Sequence, residues 1–176
     1  YAQTLDVALE NEFLPFLYPN QYVNFTPDSE TSKLALSLLP DDASEQECID
    51  SVFQYVTSHI TYDEEKASTV KTGYLPDVDE TLASGKGICF DYAALMTAML
   101  RSRDIPCKLQ IGYAGDIKHA WIDVYIRGKG WVEHAITYDG EKWNRMDPTF
   151  TANSEDEELI NSYIGDSKNY TLQFTR

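Results

Sequence analysis

Apolar positions along this chain change their period once, near residue 106, and the change splits the predicted elements into two groups. Before it the spacing is helical. Leu34, Leu38 and Leu39 share one face within residues 28–39, and Pro40 ends that run. The stretch SEQECIDSVFQYVTSHI carries Ile49, Val52, Phe53 and Val56 at a 3.6-residue spacing, with Ser44 and Glu47 forming a capping-box pattern at its start. A third helix, amphipathic and rich in strong helix formers, is predicted from Cys89 to Arg103. It breaks at RDIPC, because Pro106 disfavours helical geometry at Ile105. Residues 61–86, TYDEEKASTVKTGYLPDVDETLASGK, are polar and turn-rich and read as one long surface connection into that helix.

After residue 106 the period is two. CKLQIGY (107–113), HAWIDVYIR (119–127) and GWVEHAI (130–136) read as strands, the last two joined by a Gly128-Lys129-Gly130 hairpin turn. KWNRMDP (142–148) reads as a fourth short strand, SEDEELINSYI as an acidic helix, and YTLQFT as a final strand. Residues 1–27 combine a short apolar helix candidate (Leu5, Ala8, Leu9, Phe13) with Pro15, Pro19 and Pro27, and read as an arm packed on the rest. Helices followed by hairpin-linked strands make the α+β pattern, with the cysteine-bearing helix and its neighbours packed on an antiparallel sheet.

Composition narrows the function. The 176 residues suit a single domain, 1–176, with a core at about 44–150, an arm at 1–43 and a C-terminal extension at 151–176. A net charge of −15 with no basic stripe repels phosphate backbones and disfavours nucleic-acid partners. No apolar run approaches the roughly 20 residues of a membrane span. Tyr1 in place of Met implies that something upstream has been removed or left out; a secretory signal or lipid anchor fits, and with it an extracellular or cell-surface location, and so does a trimmed chain. Three cysteines, Cys48, Cys89 and Cys107, are too few and odd in number for a disulfide framework, and no spacing suggests a bound cofactor.

One cysteine stands out by position. Cys89 heads its helix behind Gly85 and Gly87, where the helix N-terminus favours a thiolate and its N–H groups can stabilise an oxyanion. The two glycines would permit a sharp turn and leave room for a substrate carbonyl. Taken alone, a thiol there could equally be a small core hydrophobe. A base and an orienting acid change that balance. His119 opens a strand at a sheet rim, and Asp147 closes a neighbouring strand ahead of Pro148, where a carboxylate can take the Nδ1 proton of an imidazole. A zinc ion held by Cys89, His119 and Asp147 would lack a fourth ligand at a usual spacing, so no metal is expected.

GKGICFDYAALMTAMLRSRDIPCKLQIGY, HAWIDVYIRGKGWVEHA and RMDPTF, taken in that order, resemble the transglutaminase-like superfamily over roughly residues 50–150. The resemblance implies a papain-like α+β core with Cys89 as nucleophile, His119 as general base and Asp147 as orienting acid. Asp104 stands where the family usually has glycine before Ile-Pro. Beside the triad, Tyr74, Gly87, Trp121 and His134 are candidates to border a substrate cleft. His59 and Cys107 read as structural, and Cys48 as a residue of the helix core. The expected function is acyl transfer, as a cysteine peptidase or amidase acting on a protein or peptide through a thioacyl intermediate. Alternatives are protein-glutamine cross-linking and a non-catalytic module that holds a peptide or cell-wall component.

Overall fold

In the computed structural model the described residues are 11–114, 116–133, 136–138, 143–145 and 170–176. The first helices follow their local signals. Helix α1 spans Glu30–Ser37 and α2 spans Glu45–His59. The capping box forms as predicted: Glu47 N–H donates to Ser44 Oγ at 3.2 Å, and Ser44 N–H donates to the Glu47 carboxylate at 2.8 Å. Cys48, Ile49, Val52 and Val56 then form the buried face of α2.

Residues 61–86 are not a simple surface connection. They contain strand β1 (Thr61–Tyr62), helix α3 (Glu64–Thr69), helix α4 (Val78–Ser84) and strand β2 (Lys86–Gly87). The two short helices are started by aspartates, with Asp63 accepting from Lys66 N–H, and Asp77 from Asp79 N–H and Glu80 N–H. Helix α4 ends at Gly85 in the left-handed conformation, φ 64°. The β1–β2 pair is parallel, with Tyr62 opposite Gly87. Such pairing joins segments far apart in the chain, so no local pattern announces it.

Helix α5 (Cys89–Arg101) also departs from expectation. It is buried all round from Asp91 to Arg101 rather than amphipathic. Helices α1, α2 and α4 pack on it from one side and the sheet from the other. Leu95, Met96, Met99 and Leu100 are fully buried, each worth roughly 1.5–3 kcal/mol against exposure. The helix ends in a turn where Asp104 takes φ 56°, a conformation that glycine adopts without strain.

The remaining strands are β3 (Cys107–Ala114), β4 (Ile117–Ile126), β5 (Gly130–Val132), β6 (Ile136–Tyr138), β7 (Trp143–Arg145) and β8 (Tyr170–Thr175). Four of them form an antiparallel sheet in the order β5-β4-β3-β8. The predicted strand 130–136 is split: β5 stops at Val132, and β6 pairs instead with β7 in a separate two-stranded sheet. The hairpin glycines Gly128 and Gly130 both have positive φ. Along β4 the side chains alternate. Ala120, Ile122, Val124 and Ile126 join the core shared with α5, while Trp121 packs with Ala114 and Tyr170 in a second cluster.

That outer face also receives the N-terminal arm. A short 3-10 turn, Leu14–Phe16, brings Phe13 to 4.4 Å from the Tyr125 ring and Phe16 edge-on to Trp131 at 5.3 Å. Lys108 Nζ lies 3.7 Å from the Trp131 ring centroid. The predicted helix at Leu5, Ala8 and Leu9, and the acidic helix near residue 155, lie outside the described residues.

Candidate active site

Cys89 is the first residue of α5 and is half-buried, whereas Cys48 and Cys107 are buried; all three are free thiols. Asp91 N–H and Tyr92 N–H both turn back to the Ile88 carbonyl. The N–H groups of Cys89 and Phe90 therefore lie at the half-buried, electropositive end of the helix, where no intrahelical acceptor exists. Burial, and next the charge of a Cys89 thiolate, hold the Tyr62 phenol above its ordinary pKa. Tyr62 reaches this position because Thr61 N–H and Asp63 N–H bond the carbonyls of Gly85 and Gly87. Tyr92, fully buried, ties α5 to the same segment by donating its hydroxyl to the Ile60 carbonyl at 2.6 Å.

Asp91, two residues beyond the thiol, is completely buried. Its carboxylate accepts from Ile88 N–H at 2.8 Å, from Lys66 Nζ at 2.8 Å and from the Tyr74 hydroxyl. This arrangement also depends on Gly87. A Cβ on Gly87 would stand 2.6 Å from Asp91 Cβ, so the vacant space serves the packing of Asp91. Tyr74 likewise spends its hydroxyl on Asp91, and its ring meets Phe90 edge-on at 6.3 Å. Burial, with the Asp91 bond next, pushes the Tyr74 phenol up to about 12.

His119 is the third residue of β4 rather than its first, lies opposite Gly112 on β3, and is buried. Its ring runs nearly parallel to that of Trp121 at 6.4 Å, with the Tyr170 ring 6.3 Å away. Trp121 itself is buried in that aromatic cluster. Two places along on the same face, Asp123 accepts from Gln110 Nε2, and Gln110 Oε1 accepts from Thr175. Of the residues singled out by sequence, Tyr74, Gly87 and Cys89 thus gather at the start of α5. His119 and Trp121 gather on the outer face of the sheet. Asp147 and His134 lie outside the described residues.

Tyr62, Lys66 and Asp91 were not legible as site residues. Asp91 had one usable signal, as the sole charge in the first three turns of an otherwise apolar helix, at the N3 position of a cap. Cys107 is pushed up to about 12, chiefly by burial, which fits a structural thiol. His59, in the last turn of α2, stacks on Tyr55 at 4.0 Å with Nδ1 2.9 Å from the Tyr55 carbonyl, also a structural arrangement.

The fold has solved counterparts. A candidate cysteine protease from Cytophaga hutchinsonii superposes with a TM-score of 0.57 at 22% identity, over 80% of this chain and 43% of its own. The periplasmic domain of TgpA from Pseudomonas aeruginosa superposes with a TM-score of 0.55 at 20% identity, over 82% of this chain and 50% of its own. The chain therefore spans half or less of each of these structures. No curated protein sequence matches it. Residues 32–148, well over half of the chain, match the profile of the transglutaminase-like superfamily. With the helices and antiparallel sheet arranged as described, the chain belongs to the transglutaminase-like superfamily.

Proposed function

We propose that the protein is a thiol-dependent acyl-transfer enzyme that hydrolyses an amide bond in a protein or peptide. Cys89 is the nucleophile, His119 the general base and Asp147 the acid that orients it. The observation that carries this reading is the place of Cys89: a half-buried thiol at the N-terminus of the central helix of a transglutaminase-like fold, while the other two thiols are buried.

In this reaction the Cys89 sulfur, its proton taken by His119, adds to the carbonyl carbon. The N–H groups of the first helical turn hold the oxyanion. Collapse of the adduct breaks the C–N bond, His119 protonates the leaving amine, and a thioester remains on Cys89. Water, deprotonated by His119, then releases the acid. The reading requires the imidazole to reach the sulfur from the start of β4.

The catalytic unit is taken as one domain, residues 1–176. Arg101 supports this, since it binds the carbonyls of Tyr18 in the arm, Cys107 at the start of β3 and Arg176 at the C-terminal end. An extracytoplasmic location belongs to the same reading. The similar Pseudomonas aeruginosa structure is of a periplasmic domain, and among the described residues no helix is long and apolar enough to cross a membrane.

The test is a peptide library incubated with the protein, with and without a primary amine, and read by intact mass. Hydrolysis that disappears in Cys89→Ala and in His119→Ala, with both variants folded, supports the reading. Amine incorporation in place of hydrolysis makes the enzyme a transamidase. Folded His119→Ala protein that turns over like wild type removes the proposed base and with it the mechanism.

A further inference from the structure

Asp91, buried in the first turn of α5, forms an ion pair with the half-buried Lys66 of α3 that the reaction above does not use, and we propose that Lys66 and Asp91 are a positioning pair that sets the reactivity of the Cys89 thiol. The proposal rests on the reading of Cys89 as the nucleophile and adds the charges that govern it.

The carboxylate has a structural task. It holds Ile88 N–H at 2.8 Å and so fixes the turn from which Cys89 projects. Gly87 is shaped to admit it. Such a carboxylate also carries a cost for a neighbouring thiolate. Two anions in one helical turn compete for the same positive end of the dipole and repel each other. Lys66 resolves this conflict. Its ammonium lies 2.8 Å from Asp91 Oδ2 and 4.6 Å from the Tyr74 ring centroid, so the carboxylate can hold the backbone while its charge is cancelled. Burial alone would lower the Lys66 pKa, but the bonds to Asp91 and Tyr74 outweigh it and raise the value, so the lysine stays charged. Tyr74 stays a neutral donor.

Among the described residues, Tyr62 on β1, with Glu64 near it, is a further ionisable group that interacts with the thiol; the proposed mechanism adds His119 on β4. None of these bonds Asp91. The pair can therefore be altered without touching them.

The test uses the whole chain and iodoacetamide, following alkylation of Cys89 by peptide mass at about pH 7. Lys66→Met leaves an uncancelled carboxylate in the same helical turn as the thiol and is expected to slow alkylation about tenfold. Asp91→Asn keeps an oxygen for Ile88 N–H and leaves the lysine uncancelled, so alkylation speeds up several-fold. The double variant returns to within about threefold of wild type. Effects of opposite sign support the proposal, because a merely structural disturbance would move both single variants the same way. Same-sign changes, or rates within twofold of wild type for both, overturn it. Should Lys66→Met fail to fold, Asp91→Asn decides alone, and no increase in its rate overturns the proposal. A wild-type Cys89 no more reactive than Cys48 would count against the nucleophile and not against the pair, whose opposite-signed shifts would still be read.

Discussion

Gly112 on β3 and Thr171 on β8 approach so closely that a Cβ on the glycine would stand 2.0 Å from the Thr171 carbonyl oxygen and 2.9 Å from Trp121 Cη2. Neither neighbour can yield easily, since one is backbone and the other is a buried indole in the His119 cluster. The β3–β8 register shifts at this point, between Ile111 and Gly112. Gly112→Ala is therefore expected to displace β8 and to lower stability by about 2–4 kcal/mol. Urea unfolding checks the loss, and faster proteolysis near residue 170 in the variant checks its location.

The three thiols should react in a fixed order. Cys89 is half-buried, whereas Cys107 is fully buried and its pKa is pushed up to about 12. Thiolate at residue 107 is therefore scarce throughout the neutral range and grows only as pH approaches that value. Alkylation of the native protein is expected at Cys89 first, with Cys107 modified only after unfolding in guanidinium. Peptide mapping of the labelled protein gives the order directly.

Arg101 joins three distant segments through carbonyl acceptors, those of Cys107, Tyr18 and Arg176, from a position that is 2% exposed. Arg101→Met keeps much of the side-chain volume but takes away the guanidinium donors of the buried Cys107 carbonyl and unties Tyr18 and Arg176 from it. A loss of about 3 kcal/mol is expected. Urea midpoints measure it, and increased amide hydrogen exchange at residues 174–176 would show that the C-terminal strand is released.

Helix α1 takes its N-cap from another helix. Asp79 accepts from Thr31 N–H at 2.9 Å and Glu30 N–H at 3.3 Å. Burial alone would raise the Asp79 pKa, but hydrogen bonds, those from Thr31 foremost, outweigh it and hold the value below the ordinary 3.8. A carboxylate with a depressed folded pKa stabilises above its unfolded value and loses that contribution as pH falls through the folded one. Asp79→Ala is thus expected to cost about 1–2 kcal/mol near neutrality. The gap to wild type should close in urea titrations as pH falls below 3.8, the ordinary value; a constant gap down to low pH would exclude the capping carboxylate as its source.

What could be read along the chain, and what could not, divides by the range of the interaction. The capping box at Ser44 and Glu47, the apolar stripe of α2, the alternation along β4 and the Gly128–Gly130 turn are all local patterns, and the sequence alone determined them. The order of motifs around Cys89, His119 and Asp147 likewise pointed to the superfamily. The burial of α5 on every side was decided by layering, since residues that look like a polar face become interior once helices cover one side and a sheet the other. The helices and the parallel pair within 61–86 were hidden because their polar residues are caps rather than loop residues, and because β1 finds β2 across an intervening segment. Above all, only the folded chain decided that Lys66 and Tyr74 meet at Asp91, in the helical turn that Cys89 begins. An ion pair on a buried carboxylate depends on which distant side chains exclude water together, and that is a property of the tertiary structure.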